Sequence, residues 1–530
     1  MANKRIISLI AIAVSLIIVF SMTIYNNIKA EVKTANSYSE PLVKAQEEDN
    51  ALASLRGDFT LKSDFSSHLP IVIIDTQGIA PPVNTMFNLE TFLYEPIKGL
   101  EPYVDGTILV LDNNNRNHLT DTPASKSNIK IKLRGNTSMN YAKPQYLVKL
   151  ITEAGQDNEL SLLGMGEDNE WIINGSMTDK SMMRNYLAYK VAAKLMPYTQ
   201  DSKYCEVVIK DKDTYTYQGV YLLGESIKQG PSRVNISKYK ATKHFNSYML
   251  RRDRYDEETI MIDTYATEKK LSTGYLGLRY PSKYSITKEM LDYIEKDISK
   301  IEKILYSDDY SEFSTYSKYI NVDSFVDYFL INEFFGNYDA GNNSTYMYKD
   351  LGGKLSMGPV WDYDGAVDNY TIDKMHIEVM AFQTAPWFDR LVTDKSFVEK
   401  LEKRYSELRR SYLSEESILS SIVEIEEYIG QAQKREWARW NELRKEQDRY
   451  KLETYQDAEG YLMDRDISEY DEDIYKLKTV LRKHGNIIPK RLEVLEGAAI
   501  WETDWSSRTN LILILVVALF CIPIIYVARN

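Results

Sequence analysis

Two runs without a single charge bracket this chain, residues 6–25 and 510–528 of 530, and they constrain everything between them. At 1.5 Å per residue, about 20 apolar residues span about 30 Å, the thickness of a bilayer core. A cleaved secretory signal is the competing reading of the first run, but the run exceeds the ~7–15-residue apolar core of such signals. The second run is apolar all round, unlike an amphipathic core helix, with Trp501 and Trp505 before it and Tyr526 near its far end, where interfacial aromatics belong. The expected organisation is an N-terminal membrane anchor over residues 1–28, a polar spacer over 29–68, a folded body over 69–500 and a C-terminal transmembrane helix over 508–528. Two spans put both termini on one side. Lys4 and Arg5 favour the cytoplasm for that side, which sets the main domain on the outer face of the cell membrane.

Composition excludes several classes. With 44% hydrophobic and 27% charged residues, the chain can bury a core. Its net charge of −12 argues against nucleic acid as a partner, because phosphate neutralisation needs clustered Lys and Arg. Two cysteines allow no disulfide framework. The five histidines form no HExxH pair, and GxxxxGK[ST] and GxSxG are absent.

The body divides by hydrophobic period. Residues 69–284 are sheet-rich: short β-branched or alternating runs occur at 69–74, 107–111, 129–133 and 145–150, and a hairpin joins 205–209 to 219–223. A helix is predicted over 179–195 with Asp179 as its N-cap. Residues 285–500 read as helical. Met290, Ile294, Ile298, Ile301 and Leu305 share one stripe, and Phe397, Leu401, Tyr405, Leu408 and Tyr412 another.

Polar groups crowd into apolar surroundings over residues 337–368. Asn337-Tyr-Asp339-Ala-Gly-Asn342-Asn343 precedes a strand, a Gly-Gly turn and a second strand, and then come Asp362 and Asp364. A hairpin folding back on itself brings Asp339 and Asn343 beside Asp362 and Asp364, an oxygen-rich set suited to Mg²⁺. The competing reading of each residue alone is an Asx-turn or helix cap. Asp362-Tyr-Asp364-Gly365 is not an EF-hand loop, because the glycine comes too early and no bidentate acid follows. Lys149 and Arg134 could meet phosphate oxygens as fixed charges, though each alone is equally an exposed strand residue.

In order, Arg134-Gly-Asn-Thr-Ser138, Lys143-Pro-Gln-Tyr-Leu-Val-Lys149, Trp171-Ile-Ile-Asn174, Asp179-Lys-Ser181 with Arg184-Asn185, Gly219-Val-Tyr-Leu-Leu-Gly-Glu225 and Pro359-Val-Trp-Asp362-Tyr-Asp364 resemble the CotH family of spore-coat protein H-like atypical protein kinases. The resemblance implies an α+β, divergent protein-kinase-like fold, with a sheet-rich N-terminal part and a large helical C-terminal lobe, here flanked by the two transmembrane helices. It also implies ATP with Mg²⁺ or Mn²⁺ as cofactors and transfer of the γ-phosphate to Ser or Thr of envelope or spore-coat-like proteins. Asp339 then takes the catalytic position, Asp362, Asn343 and Asp364 the metal, and Lys149, Arg134 and Glu225 the nucleotide phosphates. No Glu in the 179–195 helix offers itself as the usual partner of the lysine. The acidic balance suits a basic acceptor segment. A catalytically inactive scaffold in envelope or coat assembly is the alternative, and a glycoside hydrolase using Asp339 and Asp362 is a third.

Overall fold

The computed structural model describes residues 38–501 apart from 40, 46–49, 91–92, 114–115, 136, 256–258, 370–378 and 455–468. Seven strands form a closed barrel: β1 (Ile71–Asp75), β2 (Val104–Leu111), β3 (Ser125–Leu133), β4 (Tyr146–Ile151), β5 (Glu170–Asn174) and, after helix α1 (Arg184–Leu195), the long hairpin β6 (Ser202–Asp211) and β7 (Thr214–Glu225). Around the barrel the order is β6-β7-β5-β4-β3-β2-β1, antiparallel throughout except where β1 closes onto β6 in parallel. Strand alternation sets its two faces. Ile129, Ile131, Val148 and Leu150 point inward with Trp171, Cys205 and Leu223, while Lys130, Lys132, Leu147 and Lys149 face out.

A second sheet follows. Strands β8 (Tyr248–Asp253) and β9 (Tyr275–Tyr280) precede helices α2 (Lys288–Leu305) and α3 (Val322–Phe335), and the hairpin β10 (Thr345–Lys349) and β11 (Ser356–Met357) completes the antiparallel order β9-β8-β10-β11. Helices α4 (Lys395–Arg409), α5 (Glu415–Ile429), α6 (Ala432–Thr454) and α7 (Tyr470–Ala498) follow, and the remaining described elements are short helices and strands. The α2 stripe is buried as its i, i+4 spacing requires. Helix α1 begins at Arg184, five residues later than expected. Asp179 accepts from the Arg184 amide at 2.9 Å and pairs with its guanidinium, which Asp473 of α7 also holds, at 2.9 Å through each of two nitrogens.

Among the described residues no helix is long and apolar enough to cross a membrane. That corrects the expected pair of transmembrane helices, the membrane as partner and the membrane location with both termini cytoplasmic; the runs at 6–25 and 510–528 lie outside the described residues. The described helices fail the requirement for a plain reason. The most apolar, α3, has 14 residues and is about 21 Å long, and the longer ones are interrupted by charge. What remains of the expected fold class is a mixed α+β body of sheets and helices. The stretch expected as spacer also packs into that body: Tyr38, Leu61 and Phe65 are buried, and the Tyr38 hydroxyl donates to the Gln200 carbonyl at 3.0 Å.

Helix α6 is bound to the barrel by buried charge. Arg435 grips Glu206 of β6 through two nitrogens at 2.8 and 2.9 Å, and Glu436 accepts the Val220 amide at 2.8 Å. Glu436 can approach only because residue 219 lacks a side chain: a Cβ there would sit 2.1 Å from its carboxylate, and φ is +113°. Gly219→Ala is therefore expected to lower stability by about 2–3 kcal/mol, combining left-handed strain with displacement of a buried acid. A urea midpoint equal to wild type would refute this account of the contact.

Candidate functional site

Helix α3 ends on Gly336 in the left-handed conformation at φ +57°, a C-cap that glycine adopts without strain. The chain then turns into the 337–344 loop. Asn337 is buried, and its amide nitrogen donates to the Asn332 side chain and to the Asp362 carbonyl, both at 3.3 Å, so the two acidic loops are tied directly. Between the loops runs the β10–β11 hairpin, with Met347 opposite Met357. Its two ends deliver the carboxylates to the floor of one cleft of about 550 Å³, lined among others by Asp339, Asp362 and Asp364.

Each carboxylate is held by uncharged donors. Asn343 Nδ2 donates to Asp339 at 2.8 Å, Ser344 Oγ to Asp362 at 3.1 Å, and Ser176 Oγ, from beyond β5, to Asp364 at 2.8 Å. Asp362 has φ +67°, an uncommon conformation for a residue with a side chain, of a kind that clusters at functional sites. Burial, then the neighbouring Asp362, push the Asp339 carboxyl up to about 6, against the Asn343 hydrogen bond and the Arg254 charge. Burial and the adjacent Asp364 push the Asp362 carboxyl up as well, opposed by Arg134. Like charges forced together in a partly dry cleft favour whatever cation enters it.

The walls complete the site. On the barrel side Arg134 lies over the Trp361 ring at 5.1 Å and donates to Gln145 at 3.0 Å. Lys132, Leu147 and Ile172 line the same wall, Ser226 and Ile227 follow β7, and Tyr346 faces from the second sheet. The volume falls within the ~300–1,000 Å³ usual for small-molecule sites. Most of the lining is polar, with arginine, lysine and carboxylate side chains facing the same space and a few apolar residues such as Leu147, Ile172 and Ile227 among them. Among the described residues no group of three or more His, Cys, Asp or Glu is placed to hold a metal ion by itself.

Of the residues expected from the sequence, Asp339, Asp362, Asp364 and Arg134 line the cleft, Asn343 stands behind them on Asp339, and two lie elsewhere. Lys149 lies outside the cleft lining, over Tyr103 at 5.3 Å and opposite Glu170. Lys132, paired across the ladder with Leu147, reaches the cleft instead. Glu225 is buried against Arg233 at 2.6 Å, accepts the Asp201 amide at 2.9 Å and does not line the cleft. Lys143 meets Glu436 of α6 at 2.8 Å, deep in the protein and outside the cleft lining. Ser176, Ser344 and Lys132 were missed, since a lone serine or a strand lysine carries no sequence signal of its own.

No curated protein matches the chain. A family model described as CotH kinase protein matches residues 131–485, more than half of the 530. That stretch contains both acidic loops, the barrel wall from β3 onward and the helices behind them. The chain belongs to the CotH kinase protein family, which gives it a kinase-like or spore-coat-related function.

Proposed function

We propose that the chain is a metal-dependent protein Ser/Thr kinase. The observation that carries the reading is the meeting of two acidic loops at the floor of a cleft with cations on its walls. Phosphoryl transfer needs mostly positioning and offsetting charge, and these are what the side chains offer. Asp339 would accept or orient the proton of the acceptor hydroxyl. Its carboxyl titrates near 6, close to working pH, where a general base is effective. Asp362 and Asp364 would hold the metal. Asn343, which steadies Asp339 through its nitrogen, keeps its oxygen for the same ion. Arg134 and Lys132 would face the phosphates, with Lys132 in the place expected for Lys149. Bound ATP supplies the transferable phosphoryl group, and Mg²⁺ or Mn²⁺ offsets its charge.

The test is label transfer from γ-labelled ATP to protein, with thermal unfolding followed in parallel. Asp339→Asn is expected to cut transfer by about 10²–10⁴-fold while leaving the stabilisation by ATP and Mg²⁺ in place. Transfer at the wild-type rate would remove Asp339 from the mechanism. Nucleotide stabilisation without transfer to any protein would instead support the inactive scaffold.

A further inference from the structure

The two walls of the cleft carry cations at different places. On the barrel wall Arg134 sits beside Asp362. On the facing wall Arg251, Arg254 and Arg279 line the same cleft. Strand alternation explains part of this, because Arg251 stands opposite Gly277 on β9, and Arg279, two residues on, shares that face. Arg252 pairs with Thr345, the residue after Ser344, so Arg254 leaves β8 at the edge where the Asp339 loop arrives. Its charge is felt at Asp339, opposing the effect of burial there. Arg251 is partly neutralised by Asp253 at 3.1 Å. Arg254 is exposed and, among the described residues, forms no ion pair.

We infer that Arg254, with Arg251 beside it, forms an acceptor subsite that takes the carboxylate of an acidic residue flanking the target Ser or Thr in a polypeptide. The inference rests on the reading that Asp339 meets the acceptor hydroxyl. Arg134 lies by the metal-side carboxylate, where phosphates belong, whereas Arg254 lies by the carboxylate that would face the acceptor. A guanidinium offers a fork that matches a carboxylate with two parallel hydrogen bonds. The subsite selects against the basic acceptor that net charge alone suggested.

Fluorescence anisotropy on the full chain tests this with two labelled Ser-centred peptides, one carrying Glu and the other Lys at the flanking positions. The Glu peptide is expected to bind at least 10-fold more tightly. Arg254→Ala should erase that preference, and Arg254→Lys should keep part of it, since the charge stays while the fork is lost. Because Arg254 is exposed, the Ala variant should unfold at the wild-type urea midpoint, and a lower midpoint with the preference retained overturns the subsite. So does tighter binding of the Lys peptide, or a preference unchanged in Arg254→Ala. In a transfer assay Arg254→Ala should raise KM for the Glu peptide and leave KM for ATP alone; the reverse pattern assigns Arg254 to the nucleotide and ends the proposal. A Glu preference lost in Arg254→Ala, in a chain that transfers no phosphate, removes the kinase reading and leaves the subsite standing.

Discussion

Asp362→Asn is expected to abolish phosphoryl transfer, by about 10³-fold or more, and at the same time to make the metal-free protein more stable at pH 8. Both effects have one origin. The Asp362 carboxyl shares its part of the cleft with Asp364 and acts on Asp339, and no described cation pairs with any of the three. Asp339 titrates near 6 in the folded state against 3.8 for the free side chain. The folded protein thus holds protons that the unfolded chain has released, and the stability this gives is full below about pH 4 and lost as pH rises through 6. At pH 8 the crowded carboxylates are a net cost. Removing one charge should return about 1–3 kcal/mol, measured as a urea midpoint, with no gain at pH 4. The metal arm runs the other way. With ATP and Mg²⁺ at about 100 times their dissociation constant, the wild-type chain should gain about 2.7 kcal/mol and the variant little or none. A variant that is less stable than wild type at pH 8, or that keeps both transfer and the metal response, would show that Asp362 is a structural residue.

How far the site could be read from the sequence follows from what kind of contact builds it. The hairpin between the acidic loops was legible because it is local: period-2 strands, a Gly-Gly turn and polar residues at both ends specify it within about thirty positions. The cleft cations were only half legible. Lys132 and Lys149 lie on neighbouring strands, both facing out, and the ladder register decides between them by setting Lys132 against Leu147 and Lys149 against Lys130. Register of that kind depends on partners that a strand's own residues do not name. The hydroxyl that Ser176 gives to Asp364 crosses 188 positions, and the parallel β1–β6 contact that closes the barrel joins Ile71 to Glu206. Glu225 stands at a strand end, where a glutamate reads as available for binding, and its contact with Arg233, eight residues on, is not visible in the strand's own pattern. Tyr38, Leu61 and Phe65 were lost in a stretch whose overall polarity hid single core anchors.

The buried acid on α6 should matter most for stability. Glu436 accepts Lys143 and the Val220 amide at 2.8 Å each and also takes Arg444, and all three charged side chains are almost fully buried. Glu436→Ala leaves an ammonium and a guanidinium without their counter-charge and an amide without its acceptor, and should cost about 3–5 kcal/mol. The pH dependence identifies the cause. Burial already pushes the Lys143 ammonium down to about 8 even with Glu436 beside it. Without the glutamate it should release its proton at a lower pH, so the variant begins to regain stability sooner than wild type as pH rises. The deficit should therefore narrow between about pH 6 and 8. Lys143→Met added to Glu436→Ala should recover part of the loss, and a loss independent of both pH and Lys143 would place the effect in packing. The consequence for the cleft follows from position. Glu436 braces β7 at Val220, and five residues on that strand ends beside Ser226 and Ile227, on the barrel side of the cleft. Folded Glu436→Ala protein, held at low temperature, should bind ATP with Mg²⁺ more weakly than wild type, although residue 436 touches neither.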